Sequence, residues 1–279
     1  MFDISASLVL YNTDISLIKN VLDSFFINHN LKVKMFIVDN SPQQNENYIQ
    51  LISNYSNCEY FYLGKNIGYG SANNFAIKMR KENYRYHLVL NPDIKFDGLI
   101  LDDITKFMDN NKNVGLLMPK VLNEDGTIQY LCKLLPTPQI WLSRAIFGNS
   151  KFTKSLNFNF EFRFSNYDKI ISVPYLSGCF MFIRNCVFHE VGYFDENIFL
   201  HTEDVDFSRR IFEKYDNIYY PNVYIYHGFN KETYKNIKVL YYHVKSTIYY
   251  FNKWGWFFDK KRTDINKSIL NKFCKLKTL

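Results

Sequence analysis

The sequence predicts an α/β protein built on a doubly wound, mostly parallel sheet flanked by helices, and three observations lead to this fold class. Short apolar runs alternate with segments of helical periodicity through the first 120 residues. Residues 88–90 are apolar at every position, the pattern of a strand buried on both faces. Each apolar run ends in polar residues or glycine. Because ligands bind at the carboxyl ends of the strands in such sheets, these polar ends predict a site there.

The elements of the first half follow from local patterns. Apolar residues from Leu17 to Phe26 recur at helical spacing behind a Thr/Asp cap, a second helix includes residues 48–52, and Ser71 begins a third. Pro92 has no backbone N–H and favours an extended conformation at Asn91, so the strand before it should end there. Asp93 then lies just beyond the carboxyl end of a central strand. The predicted strands cover residues 4–10, 33–38, 59–63, 88–90 and 114–118.

The polar strand ends favour a phosphate-bearing ligand. The third strand is followed by a turn with glycines at positions 64, 68 and 70, and a helix begins directly after it. Backbone N–H groups of such a turn and of a helix N-terminus bind phosphate well. The glycine spacing fits neither an ordinary dinucleotide fold nor a P-loop. The four polar ends are Tyr11/Asn12, Asp39/Asn40, Gly64/Lys65/Asn66 and Asn91/Asp93.

The second half is less regular. Residues 126–170 carry Pro136 and Pro138 and predict a long irregular insertion, either a loop that holds a second substrate or a surface excursion. Residues 173–183 predict one apolar strand. A helix capped by Thr202 should follow, with three carboxylates in its first turn, namely Glu203, Asp204 and Asp206. The helix dipole favours acidic residues there, but three beside a His and a Thr exceed what a cap requires.

Composition limits the class of protein. The net charge of +7, from 34 basic and 27 acidic residues, fits an anionic ligand or membrane surface and argues against nucleic-acid binding. Five cysteines without a C-x-x-C pair predict free thiols in a reducing compartment. We find neither a signal-peptide pattern nor a run of about 18–20 apolar residues. The expected location is therefore the cytoplasm, with membrane contact only at the surface.

Several ordered motifs carry a family resemblance. They are Leu8-Val9-Leu10-Tyr11-Asn12, Ile37-Val38-Asp39-Asn40-Ser41, Asn66-Ile67-Gly68-Tyr69-Gly70-Ser71-Ala72-Asn73-Asn74, Leu90-Asn91-Pro92-Asp93, Leu176-Ser177-Gly178, Phe182-Ile183-Arg184, Gly192-Tyr193-Phe194-Asp195-Glu196 and Glu203-Asp204-Val205-Asp206. From about Ser5 to about Tyr250 the chain resembles the inverting family 2 glycosyltransferases with the Rossmann-like GT-A fold, most closely the bacterial rhamnosyltransferase-like branch.

The resemblance implies a donor, an acceptor and a metal. The donor would be a dTDP- or UDP-sugar, with L-rhamnose the favoured sugar, and the acceptor a hydroxyl of a cell-surface polysaccharide or lipid-linked glycan. Mg²⁺ or Mn²⁺ would be held by Asp93 and His227, although Asn91 stands where the family's motif often has its first Asp. Asp204 would be the general base, with Glu203 and Asp206 orienting. The residues implied in binding the nucleotide-sugar are Tyr11, Asn12, Asp39, Asn66, Gly68, Asn73, Asn91 and Asp93.

The chain should divide into a nucleotide-sugar-binding half (1–120), an acceptor-binding and catalytic half (121–236) and a helical tail (237–279). The Tyr, Trp and Lys residues of the tail predict either an interfacial membrane anchor or a helix packed on the domain. Two alternatives stay open. A nucleotidyltransferase should carry a basic, glycine-rich loop near the first strand, which residues 8–14 lack. An inactive partner subunit should have lost Asp93 or Asp204, and both are present. Assembly into a homo-oligomer is left open.

Overall fold

The computed structural model describes residues 2–27, 29–148, 150–228 and 237–276, except the side chains of Ala145 and of 274–276. Within these residues a mixed sheet of nine strands forms the centre and helices cover it. Phe229, the linker 229–236 before the predicted tail, and the side chain of Cys274 lie outside the described part. The four described cysteines are free thiols, as the sequence predicts.

The first half alternates strands and helices as expected. Most predicted bounds agree to within a few residues, but the third helix begins at Tyr69 and not at Ser71. The elements are β1 (Phe2–Leu10), α1 (Ile15–Phe26), β2 (Val33–Asp39), α2 (Glu46–Ile52), β3 (Cys58–Tyr62), α3 (Tyr69–Lys78), β4 (Tyr84–Leu90), β5 (Ile94–Lys95), α4 (Ile100–Asn110) and β6 (Val114–Leu122).

The second half contains more regular structure than its sequence indicates. Its elements are β7 (Cys132–Lys133), α5 (Pro138–Phe147), α6 (Lys151–Phe160), a 3₁₀ turn (Arg163–Ser165), β8 (Ile171–Ser172), β9 (Tyr175–Leu176), β10 (Phe180–Arg184), α7 (Cys186–Glu190), α8 (Glu203–Phe212), β11 (Asp216–His227), α9 (Ile237–Trp254) and α10 (Lys260–Leu276).

Three expectations for this half were wrong. Residues 126–170 are not an irregular insertion but contain the α5–α6 hairpin, because Thr137 caps α5 and Pro138 occupies its first turn, where proline is tolerated. The apolar stretch 173–183 is two strands separated at residues 177–179. Thr202 occupies the N-cap position of α8, but its φ is 65° and its side chain makes no capping hydrogen bond.

The sheet order is β3-β2-β1-β4-β10-β6-β11-β5, with β8 beside β11. Strands β1 to β4 pair in parallel, whereas β10 is antiparallel to both β4 and β6. The mostly parallel sheet of the sequence prediction is therefore confirmed. Pairing of Leu8 with Ile37 and with Leu90 brings the carboxyl ends of β1, β2 and β4 to one edge. Apolar residues such as Leu8, Ile37 and Leu88 are fully buried in the core.

The predicted C-terminal tail is two helices, and part of it packs on the domain. Tyr250 and Phe251 of α9 are buried, while Phe257 and Phe258, in the turn before α10, are exposed. Buried Arg209 of α8 forms a two-point ion pair with Asp259, at 2.6 and 2.9 Å. Among the described helices, none is both long and apolar enough to cross a bilayer.

Candidate active site

The carboxyl ends of β1 and β2 are joined by hydrogen bonds. The amide of Asn40 donates to the carbonyl of Leu10, and the amide of Asn12 donates to Oγ of Ser41. Asp39 is fully buried, and its two carboxylate oxygens accept from the amide of Ser41 (2.9 Å) and the hydroxyl of Tyr60 (2.6 Å). The Asp39 carboxylate thus fixes the turn at the strand end. Tyr11, by contrast, is 53% exposed at the same edge.

The turn before α3 is tightly constrained. Oδ1 of Asn66 accepts from the amide of Gly68, whose φ of 90° favours glycine. A Cβ at Gly68 would lie 2.5 Å from the carbonyl oxygen of Phe199, so only glycine fits. Asn73 lies inside the fold, fully buried, with its side chain bonded to Ser7 and to the backbone of Tyr69. Asn66 and Gly68 therefore form the turn at the site, whereas Asn73 joins α3 to β1 inside the fold.

One tyrosine connects the two halves of the site. The hydroxyl of Tyr69, at the start of α3, lies 2.9 Å from Oδ1 of Asn91 and 3.1 Å from the carbonyl of Gly178. The amide of Gly178 in turn donates to Oδ2 of Asp204 at 3.0 Å. The end of β4 and the start of α8 thus meet at one point.

Asp93 and His227 lie together because β5 pairs with β11, with Ile94 opposite His227. Oδ1 of Asp93 is 3.3 Å from Nε2 of His227. On its other side, Nδ1 of His227 is 2.9 Å from Oε1 of Gln129, an oxygen that can only accept. Nδ1 therefore carries a proton and donates it to Gln129, while Nε2 faces Asp93.

This pair fits a weakly held divalent cation. A carboxylate oxygen and an imidazole nitrogen side by side are metal ligands, and a hydrogen bond to the other ring nitrogen is the usual support of a ligating histidine. No cluster of three or more His, Cys, Asp or Glu side chains suited to a metal exists in the described part of the chain. The remaining ligands would have to come from water and a bound diphosphate, as is common for Mg²⁺.

Asp204 is held at the start of α8 by three donors. Its Oδ2 accepts from the amide of Gly178 and from the hydroxyl of Tyr175 (3.2 Å), and its Oδ1 accepts from the amide of Val205 (2.8 Å). A Cβ on Gly178 would lie 3.1 Å from Cβ of Asp204, so a side chain there would crowd the carboxylate. Burial raises the pKa of Asp204, and the Gly178 hydrogen bond and the charge of Lys133 oppose that rise.

The two neighbouring acids differ from Asp204 and from each other. Glu203 is buried, and its Oε2 has no hydrogen-bond partner in the described structure. Burial, followed by the charge of Asp204, raises the pKa of Glu203 to about 8. Asp206 is fully buried, and it accepts from Arg210 one turn along α8 and from Lys253 and Trp254 of the tail. Asp206 therefore anchors α9 to α8.

Three residues outside the predicted set of site residues lie near Asp204, namely Lys133, His201 and His243. Lys133 of β7 lies over the ring of Tyr175 at 5.1 Å and has no hydrogen-bonding or ion-pairing partner in the described structure. Burial lowers its pKa. Rings of His201 and His243 meet edge to face at 4.9 Å, and burial lowers the pKa of each to about 4. A lone lysine in a weakly patterned segment carries no local signal, so only tertiary structure could reveal it.

Three known glycosyltransferases are similar to this chain in sequence. The Haloferax volcanii low-salt glycan biosynthesis hexosyltransferase Agl10 is 26% identical over 178 residues, covering 62% of this chain and 52% of the relative. The Mycobacterium tuberculosis N-acetylglucosaminyl-diphospho-decaprenol L-rhamnosyltransferase is 25% identical over 187 residues, covering 63% and 60%. Rhamnosyltransferase WbbL of Escherichia coli K12 is 27% identical over 213 residues, covering 72% and 76%. The chain therefore spans only 52% and 60% of the first two relatives. No protein-family model matches.

Solved structures share the fold. GalNAc-T7 with UDP, GalNAc and Mn²⁺ superposes with a TM-score of 0.60 at 14% identity, over 83% of this chain and 44% of that one. S. aureus TarS (residues 1–349) in complex with UDP gives 0.56 at 17% identity, over 97% and 71%.

The fold is that of the GT-A glycosyltransferases, with a mainly parallel central sheet flanked by helices. The resemblance to family 2 GT-A enzymes is also confirmed, because the relatives are named as sugar transferases and two of them as rhamnosyltransferases.

Proposed function

We propose that this chain is an inverting glycosyltransferase that moves a sugar from a UDP- or dTDP-sugar to a hydroxyl of a cell-surface glycan or lipid-linked glycan precursor. The observation that carries the proposal is the chain of contacts from Asn91 through Tyr69 and Gly178 to Asp204. These contacts place the Asp204 carboxylate, with its hydrogen-bond donors, next to the strand ends where a nucleotide would bind. L-rhamnose is the favoured sugar because two relatives are named for its transfer.

In the proposed reaction, Asp204 accepts the proton of the acceptor hydroxyl while that oxygen attacks the anomeric carbon. The bond from this carbon to the diphosphate breaks, and the nucleoside diphosphate leaves with the electron pair. An ionised carboxylate can serve as this base, and the Gly178, Tyr175 and Val205 donors hold it in one orientation. The Lys133 charge favours the ionised form.

We further propose that Mg²⁺ or Mn²⁺ binds at Asp93 and His227 when the donor is present. The ion would neutralise charge on the departing diphosphate. Support comes from the Asp93–His227 pair with its Gln129 hydrogen bond and from a fold neighbour solved with Mn²⁺ and UDP. Because the protein supplies only these two ligands among the described residues, the affinity for metal should depend on the nucleotide.

The nucleotide base should bind at the β1 and β2 ends. Asp39 would act mainly by holding the turn at Ser41 and Tyr60, since its carboxylate is buried. Calorimetric titration with UDP, dTDP and GDP, in Mg²⁺ or in excess EDTA, tests this. We expect tighter binding of the pyrimidine nucleotides, weaker binding for Asp39→Ala, and loss of metal dependence for Asp93→Ala. Equal affinity for GDP, or binding unaffected by EDTA, would contradict the proposal.

We also propose that the acceptor is membrane-borne and that contact with the membrane is peripheral. The tail contributes less to such contact than its aromatic content predicts. Tyr250 and Phe251 are buried, and Lys253 and Trp254 are bonded to Asp206. Phe257 and Phe258 are among the tail residues that remain exposed.

A further inference from the structure

The α5–α6 hairpin exposes large apolar side chains at its turn. Leu142 (46%), Ile146 (67%) and Phe147 (56%) are exposed on α5, and Phe152 (54%) on α6. The rings of Phe147 and Phe152 meet edge to face at 6.2 Å across the turn. We call these four residues, together with Lys151 and Lys154, the hairpin patch. It is unusual for several large apolar side chains to be exposed to water so close together.

The charge of the hairpin is of one sign. From Pro138 to Phe160 it contains Arg144, Lys151 and Lys154 and no acidic residue. Arg144 is turned inward to the buried carboxylate of Glu161 at 2.8 Å. Lys151 and Lys154 are exposed, so the outer surface is cationic as well as apolar. That combination is typical of elements that lie in the interface of an anionic bilayer.

The other face of the hairpin leads to the site. Nε1 of Trp141, on α5, lies 3.4 Å from Nε2 of His243. His243 contacts His201, which precedes Asp204 by three residues on the chain. The hairpin is also internally tied, since Oγ1 of Thr153 donates to the carbonyl of Ser143. A partner that contacts the turn of this hairpin would therefore be connected to the acceptor side of the site through the Trp141, His243 and His201 side chains.

We propose that the hairpin patch docks this protein on an anionic lipid bilayer, with the Phe147 and Phe152 side chains inserted and Lys151 and Lys154 at the headgroups. The docking itself does not depend on glycosyl transfer. Only its use, the delivery of a lipid-linked acceptor to Asp204, rests on the proposed function. A second copy of the chain is the competing occupant, and the cationic charge on both copies would oppose that pairing.

The test is sedimentation of the full chain with phosphatidylglycerol/phosphatidylethanolamine vesicles and with phosphatidylcholine vesicles, without donor or acceptor. We expect binding to the anionic vesicles only. Phe147→Ser/Phe152→Ser should weaken it at least tenfold, because two large side chains lose their apolar environment. Lys151→Glu/Lys154→Glu should weaken it at least fivefold, since each lysine near an anionic surface contributes.

Matched control variants distinguish vesicle binding through the hairpin patch from non-specific binding through other exposed apolar or basic residues. Ile49→Ser/Leu99→Ser removes two other exposed apolar groups, 42% and 57% exposed, from the first half of the chain, and Lys106→Glu reverses an exposed charge on α4. Both should bind vesicles within twofold of the wild type. An unchanged midpoint of urea unfolding would verify the fold of every variant.

Four results would overturn the proposal. They are no binding to anionic vesicles, no loss in the hairpin variants, equal loss in the controls, and loss only in Phe257→Ser/Phe258→Ser. Light scattering tests the competing occupant: a dimer of the wild type that Phe147→Ser/Phe152→Ser converts to monomer would assign the patch to self-association. Failure of transfer activity with vesicle binding intact would count against the proposed function and not against the docking.

Discussion

Glu203→Gln tests the electrostatics of the site without any substrate. Burial and the Asp204 charge raise the pKa of Glu203 from 4.5 to about 8, so the folded protein binds its proton more tightly than the unfolded chain does. Stability should therefore be highest below the unfolded pKa and fall as the pH rises toward 8. At about 1.4 kcal/mol per pH unit the largest cost is ~5 kcal/mol. Because water can reach a carboxylate after local relaxation, we expect on the order of 2 kcal/mol.

Gln has the shape of protonated Glu and cannot ionise, so Glu203→Gln removes this cost. Urea unfolding should show the variant more stable than the wild type by on the order of 2 kcal/mol at pH 8.5 and nearly equal to it at pH 4.5. Glu196→Gln is the matched control. Hydrogen bonds from Asn74 and Lys78 lower the pKa of the Glu196 carboxyl, so the change should be neutral or destabilising at pH 8.5. If Glu203→Gln shows no gain that grows with pH, Glu203 is ionised at no cost and the assigned electrostatics are wrong.

Three further outcomes follow from the same geometry. Asp204→Asn should cut transfer by roughly 10²–10⁴-fold with UDP affinity unchanged, as kinetics beside calorimetry would show; near wild-type turnover would place the base elsewhere. Lys133→Met should move the acidic limb of the pH–rate profile to higher pH, because a positive charge that lowers the Asp204 pKa is lost. An unmoved limb would rule out that coupling. Asp259→Ala should cost about 3–5 kcal/mol in urea unfolding, because Arg209 is left buried and unpaired. Lys261→Ala, at an exposed pair, should cost less than about 1 kcal/mol, and equal losses would refute the distinction.

The fold was predictable where local pattern and tertiary structure agree. Strands β1 to β4 are apolar runs with polar ends, and that pattern alone places their carboxyl ends together. Strand β11 was missed because Pro221 and Asn222 interrupt its apolar run. The structure accommodates them in an irregularity between Tyr220 and Tyr224 where the pairing register with β6 shifts. The α5–α6 hairpin was missed because its segment is weakly patterned and carries two prolines, although Pro138 lies in the first turn of α5, where proline is tolerated.

Individual residues of the site were predictable from the sequence, but their contacts with one another were not. Asp93 is placed by the proline before it, but its contact with His227 depends on the pairing of β5 with β11, which no local pattern encodes. The carboxylates of the Glu203-Asp204-Val205-Asp206 motif look alike in sequence. Helix geometry separates them: Asp206 contacts the tail, and Oε2 of Glu203 is left without a hydrogen-bond partner in the described structure. The different surroundings of the three acids therefore come from tertiary packing and not from local sequence.

In the proposed reaction, Asp204 directs inverting attack on a nucleotide-sugar bound at the strand ends. Proton NMR of slow donor hydrolysis tests it most directly, because water replaces the unknown acceptor. The purified full chain is incubated with UDP- and dTDP-sugars and Mg²⁺, and the anomer formed first is recorded beside the nucleotide product. We expect nucleoside diphosphate and a sugar of inverted anomeric configuration, with Asp204→Asn at least 100-fold slower. Release of a nucleoside monophosphate, a sugar of retained configuration, or a rate unchanged in Asp204→Asn would contradict the account.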